Sequence, residues 1–257
     1  MRKILFIILL FAAFGAKALT LAEQADSAYN KDDYRQAVEL YKQSLAQDGV
    51  SSDVYYNLGN AYYRCDKPGL AVVCYERALK LDPTDGDART NLEFVRSRIQ
   101  DRPEDDSAFL ANVHNSLLGS MTANAWSWTA FAVFILLLGA VALYIFSHNV
   151  ARRKVGFFSG IVLIFLFAYS LWMAWESFDY ANSHEEAVVT APSTQLTSAP
   201  RAARSSADKV VTIHEGTKVE IIDSIATPDD PVSPMWYNVK INNSTKAWLR
   251  ASDVERI

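Results

Sequence analysis

The stretch YYNLGNAYYRCDKPGLAVVCYERALKLDP, residues 55–83, decides the fold of the first third of the chain. Its apolar residues recur at helical spacing and predict two helices that lie against each other. Gly59 and Ala71 are small where the two helices approach closely, and Tyr75 fills the space between them. Pro83 ends the second helix because proline has no backbone N–H to donate into it.

The same pattern recurs along residues 20–100 with a period of about 34 residues. The repeated positions are Ala37 and Ala71, Tyr41 and Tyr75, and Leu45 and Leu79. A third copy begins near Asp87 and runs for one helix before Arg102-Pro103. The period predicts two helical repeats and a capping helix within residues 19–100, which is close to the minimum for a stable stack.

The signature positions of the best copy resemble the tetratricopeptide repeat. They are Tyr55, Leu58, Gly59, Tyr62, Ala71, Tyr75, Ala78 and Pro83, with Tyr55 where the family usually has Trp. The resemblance implies an all-α stack with a groove lined by the first helix of each repeat. The candidate groove residues are Asp26, Tyr29, Tyr56, Asn60, Tyr63, Arg64 and Phe94. Such groups suit a peptide or helix of a protein partner. The alternatives are contact with solvent alone or with the chain's own juxtamembrane helix.

Two apolar runs, residues 126–146 and 155–175, contain no charged side chain. At about 1.5 Å per residue, each run is long enough to cross a hydrocarbon core of about 30 Å as a helix. Indole rings mark their ends, where lipid headgroups lie, at Trp126, Trp128, Trp172 and Trp175. The runs predict transmembrane helices at residues 125–147 and 155–175, and their lack of charge argues against an ion pathway.

The loop between the two runs, residues 148–154, contains Arg152-Arg153-Lys154. Cations in so short a loop predict that it is cytoplasmic and that both flanking regions are periplasmic, at the inner (cytoplasmic) membrane. Residues 1–18 combine a basic start, a short apolar core and Ala16-Lys17-Ala18. This order predicts a signal peptide cleaved after Ala18, with an uncleaved anchor as the alternative.

Residues 101–124 are predicted to contain a linker and an interfacial amphipathic helix. After an acidic stretch, apolar residues recur at helical spacing: Phe109, Leu110, Val113, Leu117, Leu118 and Met121. Two placements fit this pattern. The helix either lies flat on the outer leaflet or packs against the repeats.

The last region, residues 176–257, combines a polar linker with five short runs of alternating polarity. The runs are residues 187–189, 209–213, 218–222, 236–241 and 247–249. Five strands in so short a segment predict a small, closed or nearly closed all-β barrel. The segments around His214-Glu215-Gly216 and Trp236-Tyr237 resemble a bacterial SH3 domain, which implies binding of cell-wall peptide or protein. Trp236 and Tyr237 are its candidate surface, and a place in its core is the equal alternative.

The whole chain reads as a multidomain membrane protein: an all-α repeat module, a two-helix transmembrane hairpin and a small SH3-like barrel. In this order the modules resemble the Bacteroides aerotolerance family. The resemblance implies an adaptor in stress tolerance, within a membrane assembly of a MoxR-type ATPase and von Willebrand factor A-domain proteins. The competing hypothesis is a cell-wall-binding envelope protein, or an accessory to a peptidoglycan hydrolase.

Other classes of function find little support in the composition. The net charge of −4 without a basic stripe argues against nucleic acid. The four histidines are scattered, and no metal-ligand spacing or Cys–His pairing occurs. We therefore expect no enzyme activity and no cofactor. Cys65 and Cys74 fall too far apart on the predicted helices to form a disulfide, so free thiols are expected.

Overall fold

The computed structural model describes residues 19–101, 109–183, 185–205, 208–227, 235–241 and 245–257, and the side chains of residues 109–112 are not described. The predicted signal peptide, residues 1–18, lies outside the described residues. So does the part of the predicted linker between Asp101 and Phe109.

Five helices form the N-terminal stack: α1 Leu21–Asn30, α2 Tyr34–Gln47, α3 Ser52–Arg64, α4 Pro68–Leu81 and α5 Gly86–Arg96. Their starts follow from the local sequence. Thr20 and Glu23 form a reciprocal capping box at α1, and Asp33 and Asp85 cap α2 and α5. Pro68 occupies the first position of α4, where its missing N–H costs nothing. The predicted helical, repeat-like N-terminal region is confirmed.

The two repeats turn between their helices at equivalent aspartates. Asp32 (φ 60°) and Asp66 (φ 58°) are one repeat period apart, and aspartate tolerates this left-handed conformation better than most residues. A close helix approach requires Gly59, since a Cβ there would lie 2.7 Å from Cε1 of the Tyr75 ring. The small and large positions of the sequence pattern therefore meet as the pattern predicts.

Three more helices follow: α6 Phe109–Leu118, α7 Ala123–Phe146 and α8 Val150–Asn182. The last two are long and apolar enough to span a membrane. Their large apolar side chains are mostly exposed, with Phe146 at 78% and Phe165 at 72%. So large an exposed apolar surface suits lipid better than water.

Helices α7 and α8 form a hairpin joined by residues 147–149. Arg152, Arg153 and Lys154 therefore lie in the first turns of α8 and not in a loop. The helices approach closely at Gly156, where a Cβ would lie 2.8 Å from the carbonyl oxygen of Ala140. The 33 residues of α8 extend about 50 Å, roughly 20 Å more than the hydrocarbon core. Its last turns consequently reach the rest of the protein.

Within the described residues, seven strands form one antiparallel sheet in the order β3-β2-β6-β5-β4-β1-β7. Their bounds are β1 Glu186–Val189, β2 Ser193–Thr197, β3 Lys209–His214, β4 Lys218–Ala226, β5 Met235–Lys240, β6 Lys246–Arg250 and β7 Val254–Arg256. The five predicted strands correspond to β1, β3, β4, β5 and β6, whereas β2 and β7 were not predicted. The C-terminal antiparallel sheet is confirmed, and its closure into a barrel stays a prediction.

The sheet packs directly on the helical stack. Val188 of β1 and Ile257 are buried in the same apolar cluster as Val72, Val73 and Leu92 of the stack. A second cluster fills the space between α1, α2 and α3, and a third lies within the sheet. The sequence pattern treats the repeats and the sheet as separate modules, but in the folded chain they share a core.

Candidate protein-binding face of the helical stack

The front face of the stack is the side formed by α1, α3 and α5, the first helix of each repeat. All seven candidate groove residues lie on these helices: Asp26 and Tyr29 on α1, Tyr56, Asn60, Tyr63 and Arg64 on α3, and Phe94 on α5. Side-chain contacts join the three helices into one continuous surface. Asp26, Tyr56 and Asn60 take part in hydrogen bonds between helices, whereas the other four belong to two aromatic groups.

Asp26 and Asn60 occupy equivalent positions in successive repeats, and each accepts the same two kinds of hydrogen bond. The four bonds are Tyr41 to Asp26 (2.5 Å), Tyr75 to Asn60 (2.7 Å), Asn57 to Asp26 (3.4 Å) and Asn91 to Asn60 (2.9 Å). Burial and the bond to Asp26 raise the pKa of Tyr41, so its hydroxyl stays protonated and can donate. These bonds connect each helix pair to the next repeat and stabilise the stack itself.

The first aromatic group contains Tyr29, Tyr34 and Arg64. The rings of Tyr29 and Tyr34 meet edge to face at 5.1 Å, and the Arg64 guanidinium lies 4.3 Å from the Tyr34 ring centroid. Asp32 lies 3.8 Å from Arg64 and is largely exposed. Rings with one open side and a cation held against them form a surface of the kind that partner proteins bind.

The second aromatic group contains Tyr63, Phe94 and Arg98. The rings of Tyr63 and Phe94 meet edge to face at 5.7 Å, and Phe94 is 44% exposed. The Arg98 guanidinium lies 4.0 Å from the Phe94 ring centroid and donates to the Tyr63 hydroxyl at 2.8 Å. In each aromatic group an arginine therefore stacks on one ring, which is Tyr34 in the first group and Phe94 in the second.

Four residues that bond to or stack on the candidate groove residues were not predicted: Tyr34, Asn57, Asn91 and Arg98. For three of them the repeat period carried a signal, because Asn57 and Asn91, and likewise Arg64 and Arg98, are separated by one full period. Tyr34 has no such equivalent, because Pro68 stands at that position in the next repeat.

The back face of the stack is the outward side of α4, which the sheet covers. Gly69, Val73, Glu76 and Lys80 follow one another at helical spacing along it, and all four are buried. The backbone N–H of Gly69 donates to Glu215 at 2.9 Å. Lys80 donates to the carbonyl oxygens of Ser183 (2.9 Å) and Ile257 (3.0 Å). The back face is therefore an internal interface.

A network of charges crosses this interface, with Glu76 buried and its partners half-buried. Glu76 is paired with Arg96 of the stack and with Lys218 of β4 at 3.3 Å. Lys218 also lies 2.8 Å from Glu186. Burial alone would lower the pKa of Lys218, but attraction to Glu76, Tyr180 and Glu186 outweighs it and raises the pKa. Lys218 is therefore protonated and pairs with two carboxylates, those of Glu76 and Glu186.

Asp101, just after α5, makes a second polar contact with the sheet. Its carboxylate accepts from the His214 backbone N–H (2.6 Å) and the Thr217 hydroxyl (2.9 Å), and His214 Nδ1 lies 3.0 Å away. Partial burial would raise the pKa of Asp101, but these hydrogen bonds outweigh it and hold the pKa below its ordinary value. The stack and the sheet are thus connected at both ends of the interface.

The two aromatic residues expected on the sheet surface differ in burial. The side chain of Trp236 is buried, at 2% exposure. Tyr237 is half-buried, and the Arg256 guanidinium lies 4.8 Å from its ring centroid. Trp236 sits beside Arg250, whose guanidinium lies 5.5 Å from the indole.

Both cysteines are free thiols, as the predicted helix positions require. Cys65 ends α3, and Cys74 is buried within α4. Burial raises the pKa of the Cys74 thiol, which keeps it in the unreactive protonated form.

The tetratricopeptide repeat family matches residues 52–85 of the chain, which comprise α3, α4 and the turns that follow them. A search of curated proteins finds no match. The chain therefore contains a tetratricopeptide repeat, and this repeat indicates a role in protein–protein interaction. The matched segment supplies the centre of the front face and the whole of the docked helix α4.

Proposed function

We propose that this chain is a non-enzymatic adaptor, anchored in the membrane, that binds a protein partner through the front face of its helical stack. The observation that carries the proposal is the contrast between the two faces. The sheet covers the back face, whereas Tyr29, Tyr63, Arg64 and Phe94 leave two aromatic groups accessible on the front. Partly exposed tyrosine rings and arginine side chains are among the residue types that dominate binding energy at protein interfaces.

We further propose that α7 and α8 cross the inner membrane and hold the stack and the sheet in the periplasm. Two features support this orientation. Arg152, Arg153 and Lys154 lie at the start of α8, where the positive-inside rule places the cytoplasm. The other end of α8 meets the stack, where Lys80 binds the Ser183 carbonyl.

The particular assembly in this proposal comes from the resemblance to the Bacteroides aerotolerance family, and within it to the member known as BatE. On this reading the front face binds a von Willebrand factor A-domain protein of the same membrane, in an assembly with a MoxR-type ATPase that serves stress tolerance. Cell-wall peptide remains the alternative ligand, through the SH3-like sheet. Of the two aromatic candidates on that sheet, Tyr237 alone is accessible to such a ligand.

The test of the adaptor function is in-cell crosslinking with mass spectrometry on the full chain. The variant is Arg64→Ala with Phe94→Ala, which removes one exposed side chain from each aromatic group. Asn60 is left in place because it accepts hydrogen bonds from Tyr75 and Asn91 that stabilise the stack. We expect membrane proteins captured by the native chain to be lost in the variant.

The matched control is Arg35→Ala with Lys42→Ala, on the exposed outward side of α2. It changes the same number of residues on the same stack and should capture the native set. If the front-face variant also captures the native set, the front face is not the binding surface and the proposal fails. A von Willebrand factor A-domain protein among the lost partners would support the aerotolerance assembly.

The orientation is tested separately with single cysteines in a Cys65→Ser, Cys74→Ala background. A cysteine at Thr212, exposed on β3, should react with a membrane-impermeant maleimide in cells whose outer membrane alone is permeabilised. A cysteine at His148 should react only after the inner membrane is broken. The opposite pattern would reverse the proposed orientation.

A further inference from the structure

Helix α6 presents an exposed apolar stripe immediately before the first span. Val113, Leu117 and Met121 are 41%, 42% and 38% exposed. Their spacing of four residues puts Val113 and Leu117 on one side of the helix. Met121 follows three residues after the helix ends, and its side chain is also partly open.

The other side of α6 is bound by the protein. His114 Nε2 lies 2.9 Å from Glu176 Oε1 of α8, and its ring stacks on Trp172 at 5.2 Å. Asn115 and Leu118 line a cavity of about 780 Å³ between the stack, α8 and the sheet. His114 and Leu118 thus face the protein, and these contacts determine the rotation of the helix about its own axis, with Asn115 on its exposed polar side.

We propose that the stripe of Val113, Leu117 and Met121 inserts into the lipid leaflet on the side of the helical stack. This inference rests on the proposed membrane anchoring. Only residues 119–122 separate α6 from α7, so the stripe continues into the exposed apolar surface of the spans. Trp172 of α8 contacts α6 and is itself 49% exposed, at the end of the second apolar run. Indoles prefer the level of the headgroups, which places the stripe at the boundary with the acyl chains.

The stripe is expected to interact with the acyl chains of the lipid and not with anionic headgroups. Residues 109–121 contain neither lysine nor arginine. Interfacial helices that depend on anionic lipids carry such cations on their polar side, whereas the polar residues of α6 include His114, which faces Glu176, and the uncharged Asn115. The insertion of α6 is therefore expected to be the same in neutral and in anionic bilayers.

Insertion of α6 fixes the orientation of the helical stack relative to the membrane. Helix α6 lies between the leaflet and the stack, since Gly119 at its end is next to Arg89 of α5. Lys80 and Ser183 attach the same stack to the end of α8. With two attachments, one along the surface and one at the end of a span, the front face has a set direction for a partner in the same membrane.

The test uses nitroxide spin labels on the full chain in phosphatidylcholine proteoliposomes, in the Cys65→Ser, Cys74→Ala background. Labels at Val113 and Leu117 report the stripe, and a label at Asn115 reports the opposite side. A label at Leu136, 61% exposed on α7, reports the span. Collision rates with oxygen, which concentrates in lipid, and with a water-soluble nickel chelate are compared at each site.

We expect oxygen collisions to exceed nickel collisions at Val113 and Leu117, and the reverse at Asn115. Replacing a third of the lipid with phosphatidylglycerol should leave these ratios unchanged. Nickel-accessible labels at Val113 and Leu117 beside an oxygen-accessible label at Leu136 would overturn this inference and leave the membrane anchoring intact. A nickel-accessible label at Leu136 would overturn the anchoring itself.

Discussion

Helices α2 and α4 are equivalent parts of successive repeats, yet one faces solvent and the other is covered by the sheet. The inward positions are nearly the same, with Ala37 and Tyr41 in α2 matched by Ala71 and Tyr75 in α4, and all four are buried. The outward positions differ: Arg35, Glu39, Lys42 and Ala46 in α2 correspond to Gly69, Val73, Glu76 and Lys80 in α4. The first four are exposed and the second four are buried.

This comparison separates two kinds of information within one repeat. The inward residues specify the helical pair, and the repeat period makes them easy to recognise. The outward residues specify what covers the pair. In α4 they include a glycine that admits the Glu215 side chain and a valine with 1% exposure. Both sides of α4 are therefore covered, and its outward side combines one apolar side chain with the two charged groups of Glu76 and Lys80, which have partners across the interface.

The largest effect is expected from giving α4 the outward residue of α2. Val73→Glu would put a carboxylate into the core that the stack shares with Val188 and Ile257. A buried charge without a designed partner costs about 4 kcal/mol. Denaturant unfolding of the full chain in detergent, followed by tryptophan fluorescence, should show a loss of this size.

The reciprocal exchange, Glu39→Val, is the matched control. It changes an exposed position of α2 and should alter the free energy of unfolding by less than about 0.5 kcal/mol. Equal losses in the two variants would mean that the sheet does not depend on α4. The contrast between the two helices would then have no energetic basis.

The inward residues of the repeats, the uncharged runs and the alternating strands were sufficient to predict the stack, the two long apolar helices and five strands. Strand β2 was not predicted, because its buried side chains include Thr194 and Thr197. Their hydroxyls donate to Asp253 (2.6 Å) and to the Ala199 carbonyl (2.7 Å), so polar residues fill core positions. A pattern of apolar residues does not detect a core of this kind.

The front face was predictable wherever the repeat period applied, since each of its seven candidates lies on the first helix of a repeat. The period does not distinguish Asn60, which is bonded within the stack, from Tyr63, whose ring remains accessible. That difference arises from Tyr75 and Asn91, on two other helices. The docking of the sheet was hidden for a similar reason. It depends on pairs such as Asp101 and His214, which lie far apart in the sequence.

The second largest effect on stability is expected from removing a charge on the outward side of α4 and, for comparison, on the outward side of α2. Glu76→Ala would leave Arg96 and Lys218 without their shared carboxylate inside the interface. We expect a loss of about 3 kcal/mol in the same unfolding measurement, because Arg96 and Lys218 each lose a charged hydrogen-bond partner, and Lys218 is left with Glu186. Lys42→Ala, at the equivalent position of α2, removes only a surface pair with Glu39 and should cost less than about 0.5 kcal/mol. A loss in Glu76→Ala no greater than that in Lys42→Ala would show that the network contributes nothing.

A smaller effect is expected from a single methyl group. In Gly69→Ala the new Cβ would overlap the Glu215 side chain and lie 2.9 Å from the Val189 carbonyl oxygen. Relief requires the strand to move, at a cost of about 2 kcal/mol. Gly86→Ala is the control, because no atom lies within 4 Å of a Cβ there. Hydrogen exchange of β1 should rise in Gly69→Ala alone, and unchanged protection would show that α4 and β1 do not press on each other.

The smallest effect is also the one that depends on pH. Asp101→Asn removes a carboxylate that accepts from His214 and Thr217, and we expect a loss of about 1 kcal/mol at pH 7. Because the folded pKa of Asp101 is lowered, its contribution is present above the unfolded value of about 3.9 and disappears as the pH falls through the folded pKa. The free energy of unfolding should therefore be lower in Asp101→Asn than in the native chain at pH 7 and at pH 5. At pH 3 this difference should be smaller. Asp48→Asn, on an exposed carboxylate at the end of α2, should show little difference at any pH. If the Asp101→Asn difference persisted unchanged at pH 3, the bond and not the charge would hold this end of the interface.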